Sequence, residues 1–127
     1  MFQRDYLLRM VEQAAQALTR ALRLLAEKKT IQAEQELNEA YAALQMDPEL
    51  LALLDPATLR NQWSDDAQLA MACRLLLCDA ELQRTKGDEP AASRRWRGAR
   101  KLHRELKTPD EELSRELARV SAALGRT

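Results

Sequence analysis

The stretch that decides the fold is Ala80-Glu81-Leu82-Gln83-Arg84-Thr85-Lys86-Gly87-Asp88-Glu89-Pro90-Ala91-Ala92-Ser93-Arg94-Arg95-Trp96-Arg97-Gly98-Ala99. A helix runs into a Gly-Asp turn, and Pro90 follows in the first turn of the next helix, where its missing N–H is harmless. Ala92, Trp96 and Ala99, at steps of four and three, put small, large and small side chains on one face of that helix. Ala80 supplies a further small residue where two helices joined by a short turn must approach closely. The same order occurs earlier as Ala21, Ala33, Leu37 and Ala40, every member displaced by 59 residues (21 to 80, 33 to 92, 37 to 96, 40 to 99). The chain therefore reads as two helix-turn-helix units, an arrangement that offers a surface for holding something and has no chemistry of its own.

Composition agrees with that reading. A chain of 127 residues suits one domain. One Ile, two Val, three Gly and 4% aromatic residues disfavour a sheet, while Leu, Ala, Glu, Gln and Arg favour helix, so the expectation is an all-α fold. Lys plus Arg and Asp plus Glu balance at 20 each, which removes any general field toward nucleic acid or anionic membrane and leaves only local basic preferences. Two cysteines, with a start whose apolar run is broken by Arg4 and Asp5, point to a reducing, cytoplasmic setting. No apolar run approaches the roughly 20 residues that span a bilayer, so no membrane insertion is expected.

Outward from the deciding stretch, Tyr6, Met10, Ala14, Leu18, Ala21 and Leu25 follow helical spacing, and Leu7, Val11 and Leu22 widen their stripe to roughly 200°. This first helix should touch neighbours on more than one side. Lys28-Lys29-Thr30 is its turn, and a partner helix over about 31–45 buries Ala33, Leu37, Ala40, Tyr41 and Leu44, completing a hairpin over 2–46. An insert over 47–63 follows, in which Asp47-Pro48 and Asp55-Pro56 each start a short helix. Its Leu50, Leu51, Leu53 and Leu54 must pack against the body or a partner, and Trp63 ends it. Ser64 is read as the cap of a helix over about 65–85 that is apolar nearly all round (Leu69, Met71, Cys73, Leu75, Leu76, Leu77, Leu82) and so belongs in the middle of the fold. The second hairpin, 64–107, continues through Gly98 to about Lys107. Thr108-Pro109-Asp110-Glu111 reads as N-cap, Pro at N1 and a capping-box Glu, starting a capping helix over 109–124. The seam Leu113, Leu117, Val120 and Leu124 either covers the end of the stack or pairs with a second subunit.

The second hairpin, with Gly87-Asp88 followed by Ala92, Trp96 and Ala99, resembles the second half of a tetratricopeptide repeat. The first departs from that pattern, since Lys28-Lys29 replaces Gly-Asp and Leu37 replaces the aromatic residue. The 59-residue offset also exceeds the family's period of about 34, by the length of the insert. Separately, Phe2-Gln3-Arg4-Asp5-Tyr6, followed by Arg9-Met10-Val11-Glu12-Gln13, resembles the N-terminal signature of a family of small bacterial proteins of unknown function with a tetratricopeptide-like fold. The resemblance implies a tetratricopeptide-like helical hairpin stack and no activity.

Candidate chemistry is sparse. Cys73 and Cys78 are turned about 140° apart on one helix, so they cannot share a metal or bridge, and they read as small buried hydrophobes. His103, the single His, shares the Trp96 face and reads as a satisfied, half-buried side chain. Glu36 and Glu39, and Asp65 and Asp66, read as helix-surface and first-turn charges. There is no Gly-rich phosphate loop. No enzyme, cofactor, metal or small-molecule site is expected.

The sharpest local feature is the basic stripe Arg94, Arg97, Arg100, Lys101 and Arg104, opposite the Ala92/Trp96/Ala99 face. It admits three readings, in descending order: a face solvated or paired internally with Asp88, Glu89, Asp110, Glu111 and Glu112; a dock for an acidic protein; a site for nucleic acid or anionic lipid. Arg95 points to the apolar side, either reaching a carboxylate or lining a groove. The leading expectation is a noncatalytic protein-interaction or scaffold module whose concave face receives a peptide or partner helix. The basic stripe would steer an acidic partner, and Trp63 or Tyr6 would supply apolar anchors. The alternative is a homo-oligomer, such as a homodimer, built on the first helix and the Leu113–Leu124 seam; weak nucleic-acid binding ranks third. The second hairpin is the expected home of a working surface, with the first as scaffold.

Overall fold

A computed structural model describes residues 2–53, 55–63 and 65–125, with nothing stated of the side chains of residues 2–4 and 52. The Leu54 and Ser64 readings, and the Phe2, Gln3 and Arg4 side chains of the N-terminal signature, lie outside what is described. Among the described residues the regular elements are all helices: α1 (Phe2–Ala26), α2 (Thr30–Ala43), α3 (Pro48–Leu53), α4 (Pro56–Gln62), α5 (Asp66–Thr85), α6 (Glu89–His103) and α7 (Glu111–Ala123). α1 packs on α2 and α5 on α6, as the two hairpins require. α5 also touches α1, α2 and α7, which is why its apolar residues run nearly all round it, and α3 rests on α6.

The small residues do what close helix approach demands. Ala21, Ala33, Leu37 and Ala40 are buried between α1 and α2, and Ala80, Ala92, Trp96 and Ala99 in the second hairpin. The turns correspond as closely. Lys28 N–H donates to Leu25 O at 3.0 Å and Lys29 N–H to Leu24 O at 2.9 Å; Gly87 N–H donates to Arg84 O at 3.0 Å and Asp88 N–H to Gln83 O at 2.9 Å. Each bond recurs 59 residues on, and both turns have the paired hydrogen bonds of a Schellman motif closed by a left-handed residue. That residue is Gly87 in one turn, with φ 88°, and Lys28 in the other, with φ 64°. The first turn therefore holds a side-chain-bearing residue where glycine is the unstrained choice.

Three boundaries differ from the sequence reading. The cap of α5 is Asp65, whose side chain accepts from Ala67 N–H at 2.9 Å. α6 stops at His103 rather than near Lys107, because the Lys107 and Thr108 amides turn out to reach Asp66, at 3.1 and 2.9 Å. α7 starts at Glu111, capped by Asp110, whose carboxylate accepts from Leu113 N–H at 3.0 Å. Aspartate accepts better than Thr108 here, and Pro109 falls outside the helix. The α7 seam is used within the chain: Leu113, Leu117 and Val120 are buried as α7 packs on α5 and α6. The Trp96 Nε1–H donates to Leu117 O at 2.9 Å, so the large residue of the second hairpin also anchors the last helix.

Candidate functional site

The candidate site is built on α6, whose two sides have opposite chemistry. Ala91, Ala92, Arg95, Trp96, Gly98, Ala99 and Leu102 are buried. Arg94, Arg97, Lys101 and Arg104 are exposed, and Arg100 is partly so. Arg94 and Arg95 are neighbours in sequence, yet a step of about 100° sends one to solvent and the other inward.

Inward, Arg95 is 4% exposed and reaches carboxylates, the first of its two sequence readings. Its Nε donates to Asp79 Oδ2 at 2.8 Å and its Nη2 to Glu49 Oε1 at 2.9 Å. Asp79, buried on α5, also accepts from the Tyr41 hydroxyl at 2.7 Å and from Gln83 Nε2 at 3.0 Å. Residues of α2, α3, α5 and α6 thus meet in one polar network. A buried ion pair is favoured when its remaining hydrogen-bonding capacity is used; Asp79 meets that condition, while Arg95 Nη1 has no partner among the described residues. Burial, then the neighbouring Asp79 carboxylate, push the Tyr41 phenol well above its ordinary pKa, so it stays a donor. Burial works against the charge on Arg95, but Glu49 and Asp79 outweigh it and hold its pKa above the ordinary value. Arg95 in turn holds the Glu49 carboxyl below the usual range. Sequence reading flagged Arg95 and passed over its partners Asp79 and Glu49 and, behind Asp79, Tyr41. The available signal was complementary: an acid inside the apolar surround of α5 and a base inside the buried arc of α6.

Outward, the five basic side chains form no ion pair with a carboxylate among the described residues. The expected internal acids are engaged or elsewhere. Asp88 caps α6, with Ala91 N–H at 3.1 Å, and Asp110 caps α7 while pairing with Arg74 at 3.4 Å. Arg100 lies over the Trp96 ring, 5.1 Å from its centre. Arg94, Arg97 and Lys101 line a groove of about 170 Å³ against α3, together with Glu49, Leu53 and Gly98. Beside it Leu50 and Leu53 are 58% and 73% exposed, the part of the Leu-rich insert that does not pack, whereas Leu51 is buried.

A second groove, of about 240 Å³, lies among α1, α5 and α7, over Leu18, Leu22, Leu77 and Cys78. Most of its charged rim is tied up internally: Arg119 pairs with Glu81 and Glu116 at 2.6 and 2.7 Å, and Arg74 with Asp110 at 3.4 Å. The two grooves share no lining residue. The basic stripe therefore does not line the inter-helix groove of the two hairpins, because its arc of α6 faces away from α5.

The proposed apolar anchors separate. Trp63 is 8% exposed and belongs to the core, so it is not a surface anchor; it follows a short helix whose apolar side has nowhere to go but inward. Tyr6 is exposed, but its hydroxyl accepts from Gln45 Nε2 at 2.7 Å on the first hairpin, and α1 packs mainly on α2 and α5, apart from the basic stripe. His103 is half-buried with Nε2 3.1 Å from Ser114 Oγ. Cys73 and Cys78 are free and buried, and burial pushes both thiols up to about 12. Among the described residues no helix is long and apolar enough to cross a membrane, and no three metal-ligating side chains come together. Comparison with family models, curated proteins and solved structures finds no match for the chain.

Proposed function

We propose that the chain is a noncatalytic protein-interaction module of two tetratricopeptide-like hairpins, and that it receives an acidic protein through the outer face of α6. The observation that carries this reading is the stripe Arg94, Arg97, Arg100 and Lys101 on α6, with Arg104 at its C-cap, without carboxylate partners among the described residues. Cations left unpaired in a chain with no net charge form a local field, which speeds and orients association with an acidic surface. The matching turns and Ala seams, 59 residues apart, support the view that the hairpins are copies of one unit. Stacked units of this kind serve as rigid platforms.

The test is to identify proteins that co-purify from the native cell, then titrate a purified candidate against wild type and an Arg97→Glu/Lys101→Glu variant. Binding at least about tenfold weaker in the variant is expected. Unchanged affinity for every partner identified would overturn the reading, and so would a preference for DNA or RNA that falls steeply with salt.

A second reading, self-association, is favoured by Leu8 and Leu22, 48% and 43% exposed and two heptads apart on α1. The α7 seam is no longer available to it. Light scattering over a concentration series that shows a constant monomer mass removes this reading.

A further inference from the structure

The groove between α3 and α6 already contains one acid, and that acid is in an unusual position. Glu49 is bound to Arg95 through a single oxygen, while its own side chain is 60% exposed. Arg95 also has a second acidic partner, and that one is buried. Asp79 holds the guanidinium from below at 2.8 Å, and the Arg95 side chain is 5% exposed. Among the described residues its Nη1 is buried with no hydrogen-bond partner, so the guanidinium has donor capacity to spare there. Around Glu49 the groove presents Arg94, Arg97 and Lys101, none in an ion pair among the described residues, and the exposed Leu53. α3 itself is six residues long, and Leu51 is its buried anchor.

We infer that Glu49 is a built-in stand-in for a carboxylate of the partner: an acidic, leucine-containing segment enters the α3/α6 groove, and one of its carboxylates takes Glu49's place on Arg95. The inference rests on the protein-docking reading above and adds to it a position and a competitor. Charge complementarity selects the occupant. Three cations in no ion pair among the described residues, and the Arg95 guanidinium that Glu49 covers, call for carboxylates, and Leu53 in the groove wall, with the exposed Leu50 on the same short helix, calls for apolar side chains between them. Displacement is exchange of one ion pair for another, so Glu49 released to solvent carries little cost. A phosphate backbone by itself offers no counterpart to the exposed leucines.

The experiment measures fluorescence anisotropy of a fluorescein-labelled octapeptide of alternating glutamate and leucine against four full-length proteins. These are wild type, Glu49→Gln, Glu89→Gln and Arg97→Glu/Lys101→Glu, each checked for helicity and thermal unfolding. Glu89 is exposed at the start of the same helix, so its variant repeats the change of charge away from Arg95. Wild type should bind. Glu49→Gln should bind about fivefold tighter or more, Glu89→Gln within about twofold of wild type, and the double reversal at least about tenfold weaker. If the double reversal weakens binding but Glu49→Gln does not tighten it, or Glu89→Gln tightens it equally, the displacement is wrong while the basic dock stands. If wild type fails to bind the peptide, or the double reversal binds as well as wild type, the dock itself is overturned. Tighter binding of a single-stranded oligonucleotide than of the peptide overturns both.

Discussion

The two hairpins place an ion pair at corresponding positions with the charges exchanged. In the first, Arg20 on α1 donates to Glu36 on α2 at 2.8 Å; 59 residues on, Asp79 on α5 accepts from Arg95 on α6 at 2.8 Å. The geometry is the same and the environment is not. The side chains of Arg20 and Glu36 are 48% and 27% exposed, those of Arg95 and Asp79 5% and 4%. The second pair is covered by the first hairpin, through Tyr41, and by the insert, through Glu49, whereas the corresponding side of the first hairpin faces outward. A contact that is marginal in water becomes a structural commitment once neighbours remove the water.

The strongest attempt to break this comparison is Asp79→Ala set against Glu36→Ala. Leaving Arg95 buried without its main partner should cost about 3–5 kcal/mol, and losing the exposed pair about 0–1 kcal/mol, both measured by urea unfolding. Equal costs would show that burial does not separate the two pairs.

Next in size is Asp66→Asn, which opens the closure between the start of α5 and the segment after α6. Asp66 accepts from Arg60 Nη1 at 2.6 Å and from the Lys107 and Thr108 amides, and its loss should cost about 2 kcal/mol at neutral pH. Burial raises the Asp66 pKa, but those amides and Arg60 more than offset it and hold the carboxyl below its ordinary value. A lowered pKa gives stability that is fully present above the unfolded value, about 3.9, and is lost as pH falls through the folded one. The Asn variant should therefore lose part of the acid-side fall in stability below about pH 4, seen as a flatter profile of thermal midpoint against pH.

The turns sharpen the comparison on a smaller scale. Lys28→Gly relieves a left-handed residue and should stabilise by about 1 kcal/mol, while Gly87→Ala introduces the same strain and should destabilise by a similar amount. Smallest is Lys29→Asp, which gives α2 the side-chain cap that Asp88 gives α6 and that Lys29 does not provide. It should add up to about 1 kcal/mol in thermal melts, less what the exposed Lys29–Glu27 pair contributes. No gain from either substitution would mean that the turns are not interchangeable.

The hairpins were legible in the sequence because small residues at helical spacing have few other uses, and Gly87-Asp88 and the Asp-Pro pairs mark chain reversals and helix starts by their own backbone limits. Trp63 was misread because a lone tryptophan at the end of a short helix carries no periodicity that tells core from surface. The end of α6 was misread because the competing acceptor, Asp66, is remote in sequence from the amides it takes, and the start of α7 because Asp110 is a second possible cap two residues beyond Thr108. The basic stripe was visible as a stripe, but its separation from the inter-hairpin groove depends on how α6 is rotated against α5.

By itself the sequence determined that this protein is helical, that two helix pairs close on alanine seams, that α5 is central, and that one helix concentrates positive charge. These follow from local backbone preference and from a hydrophobic period that needs no knowledge of neighbours. Only the tertiary structure decided that Arg95 and Asp79 form a buried pair while Arg20 and Glu36 form an exposed one, that Glu49 occupies Arg95, and that Arg94, Arg97 and Lys101 remain without carboxylate partners among the described residues. The reason is physical: the strength and consequence of a charge depend on how much water is left around it and on which distant charge fills the gap, and both are properties of the packed molecule.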